Sequence, residues 1–380
     1  MPLPPMPPPT LVNLESTLGC NLECVMCGSH HAGVTKKRAI MAPALRETVE
    51  RDVLPGAIDL SLTVAGEPFM TPRLGDFVGL AERSGLHLQL NTNATLIRDG
   101  ALLRRILKAA SVIKISVDGA RAETYESIRV GSRFALVIGN IEALVAARAD
   151  LPRAERPRLA ICMVLMRRNV LELVEMVELA HRLGVDRLEV AHLTVLVPEM
   201  EAESLVHHPA LADAHLAAAR ARADALGLRL ALPPQMDGTA LPVAPGARLR
   251  LAAQELAQLS GKRLGRLGRT VLAKARAARW SLAAGGQVPC HFLQGGVFIT
   301  LGGDVAPCPM PGRPIVGNLH ETPWSELWNG PVLTAMREGF LRGEPFACCQ
   351  HCSQNPHQYK PGDPQTARPR GYGLLAERWG

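Results

Sequence analysis

The stretch Cys20-Asn21-Leu22-Glu23-Cys24-Val25-Met26-Cys27 comes just after a short apolar run, Leu11 to Leu14, and spaces three cysteines as C-x3-C-x2-C. Three soft thiolates on one loop, with no fourth nearby, suit a [4Fe–4S] cluster that keeps one iron open, because iron in such clusters prefers cysteine sulfur. Half a zinc site, or thiols buried in a core, would use the same residue type.

Working outward, the chain of 380 residues exceeds what one core usually holds, which predicts two domains plus connections. Hydrophobic residues make up 47% of it, and no stretch reaches the length of a membrane span. Residues 1–9 are proline-rich without the charged and apolar regions of a signal peptide, and read as a disordered lead-in. Nine cysteines without an export signal imply a reducing, cytoplasmic setting, where cysteines hold metal or do chemistry more often than they form disulfides. Eight of the nine fall in two groups, Cys20 to Cys27 and Cys290 to Cys352, and Cys162, alone in an apolar strand, reads as core.

Six strand-like runs alternate with helical patterns: Leu11–Leu14, Ile58–Val64, Leu86–Leu90, Val112–Val117, Leu159–Met166 and Arg187–Leu193. Helical spacing shows between them, as in Leu171, Val174, Val177 and Leu179, a pattern that closes at Gly184. Such alternation predicts an α/β fold with a parallel sheet, whose chemistry sits at the carboxyl ends of the strands. The polar residues obey that rule. The cysteine loop follows strand one, Ala65-Gly66-Glu67-Pro68 strand two, Asn91-Thr92-Asn93 strand three, and Asp118-Gly119 strand four.

Together these segments resemble the radical S-adenosylmethionine (radical SAM) enzymes over Val12 to His192, which implies a partial (β/α)6 TIM-like barrel over residues 10–198. In that family the open iron is chelated by the amino and carboxylate groups of SAM. An electron from the cluster then splits SAM into methionine and a 5′-deoxyadenosyl radical. The resemblance gives Cys20, Cys24 and Cys27 to the cluster, with Met26 where the family usually has an aromatic. "AGEP" looks like the family's GGE motif, with Ala65 for the first glycine, and implies that Gly66 and Glu67 receive the SAM amino group. By the same likeness Ser116 and Arg129 would hold the SAM carboxylate or ribose, and Asn93 would approach the adenosyl side. A Gly-Pro turn, an Asx turn and a solvated arginine are the plain alternatives. His192 reads as structural, and His30 and His31, wrongly spaced for a zinc finger, as loop residues.

Residues 199–286 read as a helical, basic connection, with a short extended run after Gly227. Nine basic residues stand against the single acid Glu255 between Arg248 and Trp280, so this stretch accounts for the net charge of +7. An amphipathic helix covering a junction, an interfacial membrane helix, or a dock for an anionic substrate or surface are the readings for 248–280. Nucleic acid is not expected, because aromatics for stacking are nearly absent there.

The second cysteine group spans C-x17-C (Cys290, Cys308), a strand pair about Gly302-Gly303, "GNL", a W-x-x-x-W helix and C-x2-C (Cys349, Cys352). It resembles the small auxiliary-cluster domain called SPASM, in its shortened twitch form, over residues 287–355, with 356–380 as a surface tail. That likeness implies a second [4Fe–4S] cluster on Cys290, Cys308, Cys349 and Cys352, with Cys348 spare; structural zinc would use the same four thiolates. Four thiolates leave no open iron, so the work implied is electron transfer.

The function implied is hydrogen abstraction from an organic substrate, with SAM as cofactor and a flavodoxin or ferredoxin as reductant. Two-electron, dehydrogenase-type oxidation of a carbohydrate-like alcohol is the first expectation. A peptide maturase that oxidises or cross-links a precursor is the second, and the nineteen residues before Cys20 weigh against a fused leader-binding domain in that case. The alternative of another class is a zinc-stabilised, non-enzymatic adaptor that binds an anionic partner.

Overall fold

The computed structural model describes residues 4–36, 39–62, 65–98, 100–236, 290–310, 312–350 and 352, with isolated positions 241, 268, 271, 275 and 280. Among the described residues ten strands form one sheet: β1 (Leu11–Leu14), β2 (Asp59–Ser61), β3 (His87–Thr92), β4 (Ala110–Ser116), β5 (Arg158–Leu165), β6 (Arg187–His192), β7 (Arg229–Ala231), β8 (Gly296–Ile299), β9 (Asp304–Ala306) and β10 (Gly317–Asn318). Their order is β10-β9-β8-β1-β2-β3-β4-β5-β6-β7. Strands β8 and β1 to β7 pair in parallel, and β9 and β10 add antiparallel. This is the partial barrel expected, with helices on its outer face.

Alternation along each strand explains both layers. Val12, Leu60, Leu88, Ile113, Leu159 and Leu188 are buried beneath the helices, where Phe77, Ile106, Val137 and Val177 meet them. Complete burial of one such side chain stabilises by roughly 1.5–3 kcal/mol. The alternate positions Ser61, Asn91, Lys114, Ser116, Cys162 and Glu189 are only partly buried, and several of them line the barrel's interior cavity.

Three expectations change. First, the run after Gly227 is the seventh parallel strand rather than part of a connection. The helix Pro209–Leu226 before it buries Ala212, Leu216, Ala219 and Ala223 and packs beside the helix Leu173–Arg182, so small alanines allow close approach.

Second, the two expected domains share one sheet, because β8 pairs with β1 from Leu11↔Gly296 to Leu14↔Ile299. The Thr10 N–H donates to the Gly295 carbonyl at 2.8 Å, and a Cβ at Gly295 would meet Thr10 Oγ1 at 2.7 Å, so glycine is what lets the strands approach.

Third, residues 4–9 of the lead-in are fixed rather than disordered. Met6 is buried and exchanges hydrogen bonds with the Asn329 side chain, and the Trp328 indole donates to the Pro7 carbonyl at 2.8 Å. Trp280 donates likewise to the Pro4 carbonyl at 2.7 Å. A run of prolines has carbonyls to offer and no N–H groups of its own, and tryptophan N–H groups use them.

The remainder of the basic stretch 248–280 and the tail 356–380 lie outside the described residues, save positions 268, 271 and 275. Among the described residues no helix is long and apolar enough to cross a membrane.

Candidate functional site

The cysteine loop is held by its backbone. The Cys20 N–H donates to Thr35, Glu23 to Val130, Val25 to Ile128 and Cys27 to Cys24, at 2.9–3.2 Å. Beside it lies the turn after β2. Gly66 has φ +72°, and a Cβ there would stand 2.7 Å from the carbonyl oxygens of both Thr17 and Gly19. Only glycine fits, while Ala65 is accommodated, so the departure from GGE costs this turn nothing. The Glu67 N–H then donates to the Gly19 carbonyl at 2.8 Å and fastens the turn to the cysteine loop.

Glu67 is buried, and its carboxylate already has partners. Oε1 accepts from Thr92 Oγ1 at 2.6 Å and from the Phe69 N–H at 3.2 Å, and Oε2 accepts from the Asn93 N–H at 2.7 Å. Burial pushes its pKa up against those bonds. The Asn93 amide donates to Asn21 Oδ1 at 3.0 Å and lies 3.9 Å from the Cys20 sulfur. Opposite, Arg129 Nη1 is 3.6 Å from the Cys24 sulfur, and Nε donates to the fully buried Asp118. Burial works against the Arg129 charge, but Asp118 and Cys24 outweigh it and hold its pKa above the ordinary value. Ser116 points to Asn91 Oδ1 at 3.5 Å.

The site residues expected from the sequence meet at one cavity of about 500 Å³, within the usual range for a small-molecule site. It is lined by Cys20, Cys24 and Cys27 together with Gly66, Glu67, Asn93, Ser116 and Arg129. Its β5 to β7 side carries Val164, Val190, Ala191 and Ala231, with an apolar cluster of Met166, Leu193, Val195 and Val197 that Met26 and Val164 join. Burial lifts Cys20 to about 11 and raises Cys24, against the pull of Arg129. Thiols so placed are protonated when free, and metal ligation would release those protons.

Cys162 and Glu189 are among the cavity residues that escape sequence reasoning. Cys162, read as core, sits level with Ser116 and Glu189 on neighbouring strands and lines the cavity, 3.8 Å from Glu189 Oε2. Glu189 is ion-paired with Lys114 at 2.9 Å and with Arg187. Their period-two placement was the available signal, masked by an apolar run in β5. Conversely, His192 turns to the Pro234 carbonyl at 2.9 Å and does not line the cavity. His31 bonds the Val25 carbonyl within its own loop.

A second cavity is lined by Cys290, Cys308, Cys348, Cys349 and Cys352. Burial pushes Cys308 up to about 12, and the sulfurs of Cys348 and Cys349 are 3.7 Å apart. Among the described residues no three cysteine, histidine or acidic groups converge on the position of a single ion. The two donor sets, three thiols beside a cation and five thiols around one cavity, suit iron–sulfur chemistry.

A parallel half-barrel with three cysteines after its first strand is the architecture of the radical SAM proteins. The sequence matches the Radical SAM superfamily over residues 14–152 and SPASM, an iron–sulfur cluster-binding domain, over residues 290–353. The chain therefore carries a radical SAM domain and a C-terminal SPASM domain, which imply a [4Fe–4S] cluster with SAM and auxiliary iron–sulfur.

Among relatives, the AdoMet-dependent heme synthase of Methanosarcina barkeri is 30% identical over 193 residues, 50% of this chain and 51% of that protein. The PqqA peptide cyclase of Gluconobacter oxydans is 29% identical over 189 residues, 50% of each. The chain thus spans about half the length of the curated relatives it matches. Its fold is similar to that of anSMEcpe with bound AdoMet, with a TM-score of 0.61 and 16% identity over 98% of this chain and 95% of that one.

Proposed function

We propose that this chain is a radical SAM enzyme that abstracts a hydrogen atom from a peptide and passes the remaining electron to an auxiliary cluster. The observation that carries the radical chemistry is the convergence of Cys20, Cys24 and Cys27 with Gly66, Asn93, Ser116 and Arg129 on one cavity. The peptide is favoured over the carbohydrate-like alcohol by the likeness to a peptide cyclase.

When bound, the cluster and SAM supply the carbon radical; the chain's residues position and shield it. Cys20, Cys24 and Cys27 would hold three irons. Arg129, beside Cys24 and charged at every accessible pH, would offset the negative cluster and meet the SAM carboxylate with Ser116. Gly66 brings its backbone against the cysteine loop, and its turn would receive the amino group. Glu67, with both oxygens engaged, fixes Asn93 and the end of β3 and contributes to SAM binding mainly through them. The polar β2 to β4 side would take the cofactor. The apolar β5 to β7 side, with Glu189 as its carboxylate, would take the substrate and exclude water.

In the second cavity Cys290, Cys308, Cys349 and Cys352 would ligate one auxiliary cluster, with Cys348 the spare thiol. A flavodoxin or ferredoxin would supply the first electron.

The test is co-expression with short peptides encoded beside its gene, followed by mass spectrometry. Loss of two hydrogens from a peptide, matched by one 5′-deoxyadenosine per event, supports the reading. Oxidation of a sugar alcohol with every peptide unchanged would return the first expectation.

A further inference from the structure

Asn93 follows β3 and is buried, and its side chain closes a ring of hydrogen bonds with Thr95 and Asn21. Asn93 Oδ1 accepts from the Thr95 N–H at 3.0 Å and from Thr95 Oγ1 at 2.7 Å. Thr95 Oγ1 accepts in turn from Asn21 Nδ2 at 2.8 Å, and Asn21 Oδ1 accepts from Asn93 Nδ2 at 3.0 Å. The Cys20 sulfur lies 3.9 Å from that same Nδ2.

The ring decides which way the Asn93 amide points. A backbone N–H can only donate, so the atom that faces the Thr95 N–H is the amide oxygen. The amide nitrogen is then turned toward the cysteine loop, where one hydrogen serves Asn21 Oδ1 and the other is left for the Cys20 sulfur. Ala94 pins the turn between Asn93 and Thr95. It holds φ +60°, its N–H donates to Thr92 Oγ1 at 3.0 Å, and its carbonyl accepts from Asn140 Nδ2 at 2.8 Å. An alanine stays in the left-handed region only where its surroundings impose it, so the amide has little freedom to swing away.

We infer that the Asn93 amide, by donating to the Cys20 sulfur, raises the reduction potential of the site that Cys20 ligates, and that Asn21 and Thr95 are the positioning residues that aim it. This deepens the proposed function and rests on its assignment of Cys20 as an iron ligand. Reduction there adds negative charge that spreads onto the ligating sulfurs. An N–H aimed at one of them therefore stabilises the reduced state more than the oxidised one, and burial strengthens the bond. Nothing in this ring touches the C-terminal cysteines, so the effect is confined to the first group.

The experiment reconstitutes the full chain anaerobically and follows redox titrations by electron paramagnetic resonance, with and without SAM. The signal whose shape changes on adding SAM reports the first cysteine group, and the other signal serves as internal reference. Asn93→Leu removes the donor at similar volume and without adding charge. It should lower the midpoint of the SAM-responsive signal, so that its reduced fraction at a fixed potential falls roughly three- to tenfold. Thr95→Val removes the hydroxyl that aims the amide and should shift the midpoint the same way, whereas Thr95→Ser should keep the wild-type value. Should Asn93→Leu fail to take up iron, the Thr95 pair decides alone. An unchanged midpoint in Asn93→Leu, equal midpoints in Thr95→Val and Thr95→Ser, or a shift of both signals together overturns the inference. Absence of a SAM-responsive iron–sulfur signal from the wild type overturns instead the assignment of Cys20 on which it rests.

Discussion

The Asn93 N–H donates to Oε2 of Glu67 at 2.7 Å, while the Asn93 side chain lies 3.9 Å from the Cys20 sulfur. A buried carboxylate on one loop thereby sets the position of a cysteine on another. Glu67→Gln would place an amide N–H group toward existing donors. The expected effect is a loss of about 1–3 kcal/mol in stability and weaker SAM binding, read from thermal melts and equilibrium dialysis. Unaltered melting and binding would mean that this network does not hold the site.

Gly66 gives a sharper local test. Gly66→Ala forces a Cβ to within 2.7 Å of two carbonyl oxygens at φ +72°, a strain of at least ~1 kcal/mol, whereas Ala65→Gly should be nearly neutral. Iron content after reconstitution should drop in the first variant and not in the second. Equal iron in both would show that the turn can move away from the cysteine loop.

The parallel pairing of β8 with β1 predicts that the barrel does not survive alone. Deleting residues 290–380 strips β1 of its neighbour and Trp328 from the lead-in, leaving an open apolar edge of the kind that aggregates. Size-exclusion chromatography should show aggregate or no soluble product. A monodisperse, folded truncation would mean that the C-terminal domain is dispensable for the fold.

Glu15, buried directly after β1, predicts a pH signature independent of any cofactor. Its pKa in the folded chain, about 7, lies above the ordinary 4.5, so its contribution to stability is full below 4.5 and is lost as pH rises through 7. The loss is on the order of 3 kcal/mol. Glu15→Gln should therefore melt at a higher temperature than the wild type at pH 8 and lose that advantage toward pH 4.5. Parallel melting curves across this range would place the Glu15 titration elsewhere.

Much of this was legible in the sequence because the carriers were local. Strand–helix alternation and the polar residues just after each strand, Cys20 to Cys27, Gly66, Asn93 and Ser116, needed only spacing to be placed on one face. What stayed hidden depends on contacts across the chain. β7 is three residues long, and β8 joins β1 across nearly 290 positions, so neither pairing has a local signature. Cys162 hid because a strand paired on both sides looks apolar throughout, though one of its faces lines the cavity. The ordering of Pro4 to Pro9 depends on Trp280, Trp328 and Asn329, far away in sequence.

The most direct measurement is anaerobic purification and reconstitution, with iron and sulfide counting and assay of 5′-deoxyadenosine from SAM under a low-potential reductant. The account predicts a brown protein with two clusters that cleaves SAM. It predicts also that Cys20→Ala/Cys24→Ala/Cys27→Ala keeps the second cluster and makes no 5′-deoxyadenosine. A colourless protein with zinc at both cysteine groups, or a triple variant that still makes 5′-deoxyadenosine at the wild-type rate, would contradict it.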